Sequence, residues 1–193
     1  MNTMPLKTFV AAAVGLAFCV PAAADTMTRD QVNAEEKRIE QQYDAAKRAC
    51  DSRSGNAKDI CMAEAKGQEK VAKAELKARN KGTAEARYEA RVARADADYE
   101  VAKERCDDKA GNAKDVCIKD AKAVQTKATS DAKVARSSDE NTARGRENVA
   151  ETRREATKDS REAKYEAARE RCDSLAGDAK DQCQRQARAD FGH

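Results

Sequence analysis

The sequence predicts an all-α, elongated protein built from three disulfide-clipped α-helical hairpins with long charged helices. Three observations predict this fold. A segment that begins and ends with Cys, eleven residues apart, occurs three times, starting at Cys50, Cys106 and Cys172. Apolar residues at helical spacing precede each of these segments. The composition is 38% charged and 4% aromatic with no Trp, so large side chains are too few to build a thick core.

The N-terminal residues 1–24 have the features of a secretory signal peptide. Lys7 supplies a positive start, residues 9–20 form an apolar core, and small Ala residues at 22–24 offer a cleavage site before Asp25. A retained membrane anchor is the alternative, although this apolar run is short for a membrane span. We therefore expect an exported chain with no stable membrane anchor after cleavage.

Cleavage would remove Cys19 and leave six Cys in three equally spaced pairs. A lipoprotein modified at Cys19 is a further alternative, but that processing needs a small residue where Phe18 stands. An even number of Cys in an exported chain indicates disulfides and an oxidising compartment. We expect the bacterial periplasm, with full secretion as the open alternative.

Each disulfide is expected to close within one copy of the segment. Two residues eleven apart on a straight helix would be separated by about 16 Å, whereas the Cα atoms of a disulfide lie within about 7 Å. The chain must therefore turn between them, and a clip of this size is worth about 3 kcal/mol. The predicted pairs are Cys50–Cys61, Cys106–Cys117 and Cys172–Cys183. An Asp and a Lys placed symmetrically about each turn are expected to pair across it: Asp51 with Lys58, Asp107 with Lys114, and Asp173 with Lys180.

The middle of each copy predicts the turn itself. Gly55, Gly111 and Gly177 are expected to adopt the left-handed conformation that ends a helix, because Gly has no Cβ to clash there. The residues that follow are expected to cap the next helix with their side-chain oxygens. These caps are Asn56, Asn112 and Asp178. One helix should therefore end and the next begin within about two residues.

Residues 25–82 are predicted to form the first helical hairpin. Its first helix is expected over residues 28–53 and its second over residues 57–79, on either side of the first clip. Gly82 is expected to end the second helix, and Thr83 is expected to cap the helix that follows.

Residues 83–138 are predicted to form the second hairpin. Its first helix, over residues 83–109, has apolar positions that alternate steps of four and three, the spacing of a coiled-coil seam. They are Tyr88, Val92, Ala95, Tyr99, Ala102 and Cys106. The second helix, over residues 113–136, is expected to bury one face that includes Val124. Ser137, Ser138 and Asp139 are expected to break the chain after it.

Residues 139–193 are predicted to form a long charged helix and a third, short hairpin. Arg, Glu, Lys and Ala dominate residues 144–171, which we expect to be a solvated helix, with binding to an anionic surface as the alternative. A short helix is expected over residues 179–189. The copies are 56 and then 66 residues apart, so they form a loose repeat rather than a uniform solenoid.

A Tyr stands seven residues before the first Cys of every copy, at Tyr43, Tyr99 and Tyr165. Each ring is expected to cover its disulfide and to fill the shallow seam between helices. The alternative is a docking surface for another helix, because Tyr is common in the cores of interfaces.

The Cys, His and charged residues of the sequence show no pattern that predicts an active site. A zinc site needs four ligands, whereas one copy supplies two Cys and the chain has one His, His193. The Cys spacing also differs from the Cys-x-x-Cys of thiol redox enzymes. The 38 basic and 35 acidic residues nearly balance, which argues against a nucleic-acid partner. No catalytic, cofactor-binding or metal-binding residue is therefore predicted, and the chain is not expected to be an enzyme.

The repeated unit Tyr-x6-Cys-Asp-x3-Gly-Asn/Asp-Ala-Lys-Asp-x-Cys resembles a group of exported, Ala/Lys/Glu-rich helical proteins of proteobacteria. The resemblance covers most of residues 38–190 and implies export and a helical fold, with no activity attached. The composition is also similar to the helical linker of the Tol-system envelope protein TolA and to desiccation-protective late-embryogenesis proteins. The six Cys speak against the last of these.

The leading functional hypothesis is a non-enzymatic structural or interaction protein of the cell envelope, whose helices bind partner helices or self-associate. An envelope stress protectant or holdase-type chaperone is the first alternative, since the chain is hydrophilic and its charges balance. A thiol redox or metal-handling protein is the second.

Overall fold

The computed structural model describes residues 27–139 and 143–192, and the predicted signal peptide lies outside them. Side chains are described for these residues apart from 143–147. Six helices occur in this part of the chain, and no strand does, which confirms the all-α fold. They are α1 (Arg29–Cys50), α2 (Gly55–Lys81), α3 (Ala84–Cys106), α4 (Asn112–Asp139), α5 (Ala143–Cys172) and α6 (Gly177–Phe191).

Local chemistry sets the start of α1 and the boundary between α2 and α3. The Thr28 hydroxyl accepts the Gln31 backbone N–H at 3.2 Å, and the Gln31 side chain accepts the Thr28 N–H at 2.8 Å, which is a reciprocal capping box. Gly82 ends α2 in the left-handed conformation with φ 63°. Thr83 then caps α3 by accepting the Ala86 N–H at 3.1 Å. The predicted break at Gly82 is therefore confirmed.

The helices pack in chain order. Each described helix contacts only the helix before it and the helix after it, from α1 against α2 to α5 against α6. Successive helices run antiparallel, as their contacts show for α4 and α5: Ser137 near the end of α4 contacts Thr152 near the start of α5, and Asp120 near the start of α4 contacts Arg171 at the end of α5. Within the described ranges the hairpins thus form one row of helices rather than a closed bundle.

The buried interior of this row consists mostly of small side chains. It contains seven Ala, four Cys, Ile39 and Leu76. The largest side chains that are completely buried are Cys50, Cys106 and Cys172, each 0% exposed. A buried Ala removes little apolar area from water, so the disulfides, together with Ile39 and Leu76 at 2% exposed, are the bulkiest enclosed groups of the core.

Two helices approach each other closely where α2 crosses α3. Gly67 is buried there, and a Cβ built on it would lie 3.0 Å from the Ala97 Cβ. That distance is shorter than ordinary van der Waals contact. The α2 backbone can therefore approach α3 this closely only because position 67 carries no side chain.

The turns differ from the prediction in where their helices end. The first helix of each hairpin stops at its Cys instead of continuing to the Gly, so four or five residues connect the helices rather than two. Gly55, Gly111 and Gly177 have the expected positive φ, between 54° and 56°, but they lie at the start of the second helix. The residue before Gly55 is extended, with φ −138° and ψ 161° at Ser54, and a helix running to the Gly would not allow this.

The predicted capping by Asn56, Asn112 and Asp178 is wrong. The cap positions of α2 and α6 are Ser54 and Ala176, and neither makes a side-chain capping bond. The second helices begin one or two residues earlier than expected, which places Asn56 and Asp178 inside the first turn. Their side chains are thus available for other contacts.

The break predicted at Ser137, Ser138 and Asp139 falls inside α4, which extends to Asp139, and the next helix begins at Ala143. The Ser137 hydroxyl donates to the Lys133 carbonyl at 3.2 Å, and the Ser138 hydroxyl donates to the Val134 carbonyl at 2.9 Å. Serines that bond back to the preceding turn in this way are accommodated inside a helix.

Val124 lies outside the buried face to which the sequence pattern assigns it, since it is 68% exposed. The buried residues of α4 are Ser130 and Ala132. Because α4 packs on α3 and α5 at once, the positions that it buries differ from those of a helix with a single partner.

The Gly67 contact provides a test of the packing. Substitution of Gly67 by Val should lower the free energy of unfolding by about 1–3 kcal/mol, because the added methyl groups would push α2 away from α3. Adding Ala97→Gly should recover part of this loss, and a double-mutant cycle by urea denaturation would measure the coupling. Equal stability of G67V and wild type would show that the helices are not this close.

Candidate functional site: the clips and the junctions between hairpins

Each clip joins the two Cys of one copy. The bonds are Cys50–Cys61, Cys106–Cys117 and Cys172–Cys183, and the Cα atoms of every pair lie 5.7 Å apart. The first Cys of each clip is fully enclosed between its two helices. These bonds confirm the pairing predicted from the spacing.

An ion pair spans each turn beside the disulfide, as predicted. Lys58 lies 3.3 Å from Asp51, Lys114 lies 2.9 Å from Asp107, and Lys180 lies 2.9 Å from Asp173. The hydrogen bond from Lys114 to Asp107, together with the charge of that carboxylate, raises the pKa of the lysine. The partners are about half exposed, so these pairs orient the turn more than they stabilise it.

A second kind of contact joins one hairpin to the next. Arg105 on α3 binds Glu64 on α2 at 2.8 Å, and Arg171 on α5 binds Asp120 on α4. Both arginines immediately precede the first Cys of their clip, and both carboxylates lie three residues after the second Cys of the preceding clip. The two junctions therefore use equivalent positions.

The turn residue Asn112 also serves a junction. Its side-chain amide donates to the Glu170 backbone carbonyl on α5 at 2.8 Å. Asn56 occupies the same position in the first clip, and its buried Nδ2 has no acceptor among the described residues. The third copy has Asp178 at this position, whose side chain has no amide N–H to donate. Of the three turn residues, Asn112 thus bonds to the neighbouring hairpin rather than to the helix that it opens.

On the first and last described helices, the positions equivalent to the junction arginine and carboxylate carry uncharged residues. Ala49 on α1 stands where Arg105 and Arg171 stand in the other copies. Gln186 on α6 stands where Glu64 and Asp120 stand. The junction pair was not predicted, although counting positions from the Cys residues would have revealed it.

The three tyrosines are half-buried on the first helix of each hairpin. The Lys122 ammonium lies 5.3 Å from the centre of the Tyr99 ring, and the Arg169 guanidinium lies 5.7 Å from that of Tyr165. Tyr43 lines a groove with Met62 and Lys66 of α2. Their own hairpins thus hold these rings in part, and their use as a docking surface stays a prediction.

The described residues hold no free thiol, because all six Cys are disulfide-bonded. In the same ranges, no group of three or more His, Cys, Asp or Glu side chains is arranged to bind a metal ion.

The clips can be tested by removing one of them. Replacing Cys106 and Cys117 together by Ala should lower the free energy of unfolding by about 3 kcal/mol, because the unfolded chain regains the freedom of an open loop. Urea denaturation followed by circular dichroism would measure it. The matched control is Arg105→Gln, next to Cys106, which removes an exposed ion pair and should cost no more than about 1 kcal/mol. A double Cys variant as stable as wild type would contradict a structural role for this clip.

No helix among residues 27–139 and 143–192 has both the length and the apolar character needed to cross a membrane. The three disulfides are consistent with an oxidising extracellular or periplasmic location. No protein-family model, curated protein or solved structure matches this chain.

Proposed function

We propose that this chain is a non-enzymatic structural or interaction protein of the cell envelope, exported to the bacterial periplasm, which binds protein partners along the sides of its row of hairpins. One observation carries the proposal. Every described helix packs only against its neighbours in the chain, so the row leaves its two long sides uncovered. A partner helix placed there would complete a packing layer that the chain does not complete itself.

The uncovered sides have features that suit a helical partner. Open grooves follow the crossing of α2 and α3 on both sides, at Gly67 and Ala97. Among the described residues, Val124 on α4 is the most exposed large apolar side chain, at 68%. Tyr43 contributes the edge of a half-buried ring to one of the grooves. Aromatic and apolar groups with a charged rim are the usual composition of an interface core.

The ends of the row are less suited to binding. Both internal junctions contain an arginine–carboxylate pair, whereas Ala49 and Gln186 replace its members at the outer positions. Two copies meeting end to end would therefore lack this contact. We infer that the protein uses its sides, as capped repeat proteins do when their terminal faces stop further stacking.

The periplasmic location rests on the dependence of the core on sulfur. Cys50, Cys106 and Cys172 are fully enclosed in an interior made mostly of Ala, and their bonds persist only where the surroundings are oxidising. The predicted signal peptide over residues 1–24 would deliver the chain to such a compartment.

Site-directed photo-crosslinking in intact cells tests this function. A photoreactive residue in place of Val124 should form adducts with a partner protein, because this exposed position lies on a side of the row. The matched control places the same residue at Ala49, which is exposed on an end, and no adduct with a second copy is expected. Absence of adducts at Val124, or efficient linkage between copies through Ala49, would contradict binding along the sides.

A further inference from the structure

A groove of about 570 Å³ lies between α4, α5 and the C-terminal end of α6, and we propose that it binds a small, multiply charged phosphate anion of the oligophosphate class. Its lining contains four basic side chains and one carboxylate. The basic residues are Lys127 on α4 and Arg153, Arg161 and Lys164 on α5, and the carboxylate is Asp131. The volume is within the range of small-molecule sites.

The cations of α5 in this groove have no carboxylate partner among the residues that the structure describes. Within the described ranges, Arg153, Arg161 and Lys164 have no carboxylate within 4.0 Å, whereas the single acid, Asp131, is paired with Lys127 on its own helix at 2.6 Å. Guanidinium and ammonium groups that line one groove without counter-charges create a positive potential there, which attracts an anion.

The charges of α5 are segregated around the helix. At 3.6 residues per turn, positions 153, 157, 160, 161 and 164 fall on one face. That face carries two Arg, one Lys, one Thr and one Ser and no acid. The acids at positions 151, 155, 159, 162 and 166 fall on another side of the helix. The groove is thus lined by the basic face of α5, although α5 as a whole carries both acidic and basic residues.

The equivalent groove between α2 and α3 provides an internal comparison. Counted from the neighbouring Cys, Lys164 corresponds to Asp98 and Lys127 corresponds to Val71. Two of the basic groups are therefore replaced by an acid and an apolar residue.

Both arginines of that α2–α3 groove are also neutralised. Arg94 pairs with Glu75 and Arg105 pairs with Glu64. Basic character is therefore a property of the α4–α5 groove and not a consequence of the repeated architecture.

Further groups favour a compact polyanion. Ser130, which is 3% exposed, and Ser160 line the same groove and add hydroxyls to the cations. Phe191 of α6 forms an apolar wall, and Gly192 lies beside the Arg161 guanidinium. Four cations opposite one carboxylate match a ligand with several negative charges better than they match a monoanion.

Calorimetric titration of the purified, oxidised full chain with sodium triphosphate at low salt tests the site. Wild type should bind one equivalent saturably. The triple variant R153Q/R161Q/K164Q should bind at least about tenfold more weakly, because it loses three charge-assisted contacts. Unchanged circular dichroism would show that the variant is folded, since the three side chains are exposed.

Two further variants separate a built site from net charge. K37Q/K47Q/R53Q removes three exposed cations elsewhere and should retain the wild-type affinity within about twofold. V71K/D98K gives the α2–α3 groove the two lysines of the α4–α5 groove and should add a second, weaker site.

The site would be refuted by three results. They are absence of saturable binding by wild type, equal weakening in the two charge-removal variants, and binding of phosphatidylcholine–phosphatidylglycerol vesicles without binding of triphosphate. The last result would assign the basic face to a lipid surface. Because this test uses purified protein, its outcome is independent of whether a protein partner exists.

Discussion

The structure depends on the disulfides that close the three turns. Cys50, Cys106 and Cys172 are each 0% exposed, and the rest of the buried apolar set is mainly Ala. Ala-rich faces let helices approach closely, as at Gly67 and Ala97, but they bury little area. A chain of this composition loses conformational entropy on folding, and the burial of its small apolar area contributes little free energy to offset that loss. A covalent clip at each turn lowers the entropy of the unfolded chain and so offsets that weakness.

The clips also organise what surrounds them. Positions counted from the Cys residues place an arginine–carboxylate pair at both internal junctions, through Arg105 with Glu64 and Arg171 with Asp120. The same turns align successive helices in one row, which leaves long sides open for partners. The charge of those sides then varies from groove to groove, because it is set by residues away from the clips. A uniform scaffold can thus present different surfaces along its length.

Much of the architecture follows from the sequence because its strongest determinants are local. The Cys spacing excludes a straight helix, and Gly82 and Thr83 form a stop and a cap. The predicted α3 seam contains the buried Ala95 and Cys106, but α3 also buries Ala86 and Ala97 on its opposite face, because it packs on both α2 and α4. Two of the errors arise where a residue packs against a distant part of the chain. Asn112 bonds to Glu170 of the next hairpin instead of capping its own helix, and Val124 is exposed because α4 divides its buried surface between two neighbours. Local propensity contains no information on either contact. The error at Ser137 and Ser138 is local, because these serines are tolerated inside α4 through bonds to the preceding turn. The basic groove needed the fold as well, since it combines side chains from three helices.

Peptide mapping of the purified protein under non-reducing conditions tests the central claim most directly. The account predicts three disulfide-linked peptides, one for each clip, with Cys50 bonded to Cys61, Cys106 to Cys117 and Cys172 to Cys183. Free thiols at these six positions, or bonds that join Cys residues of different clips, would contradict it.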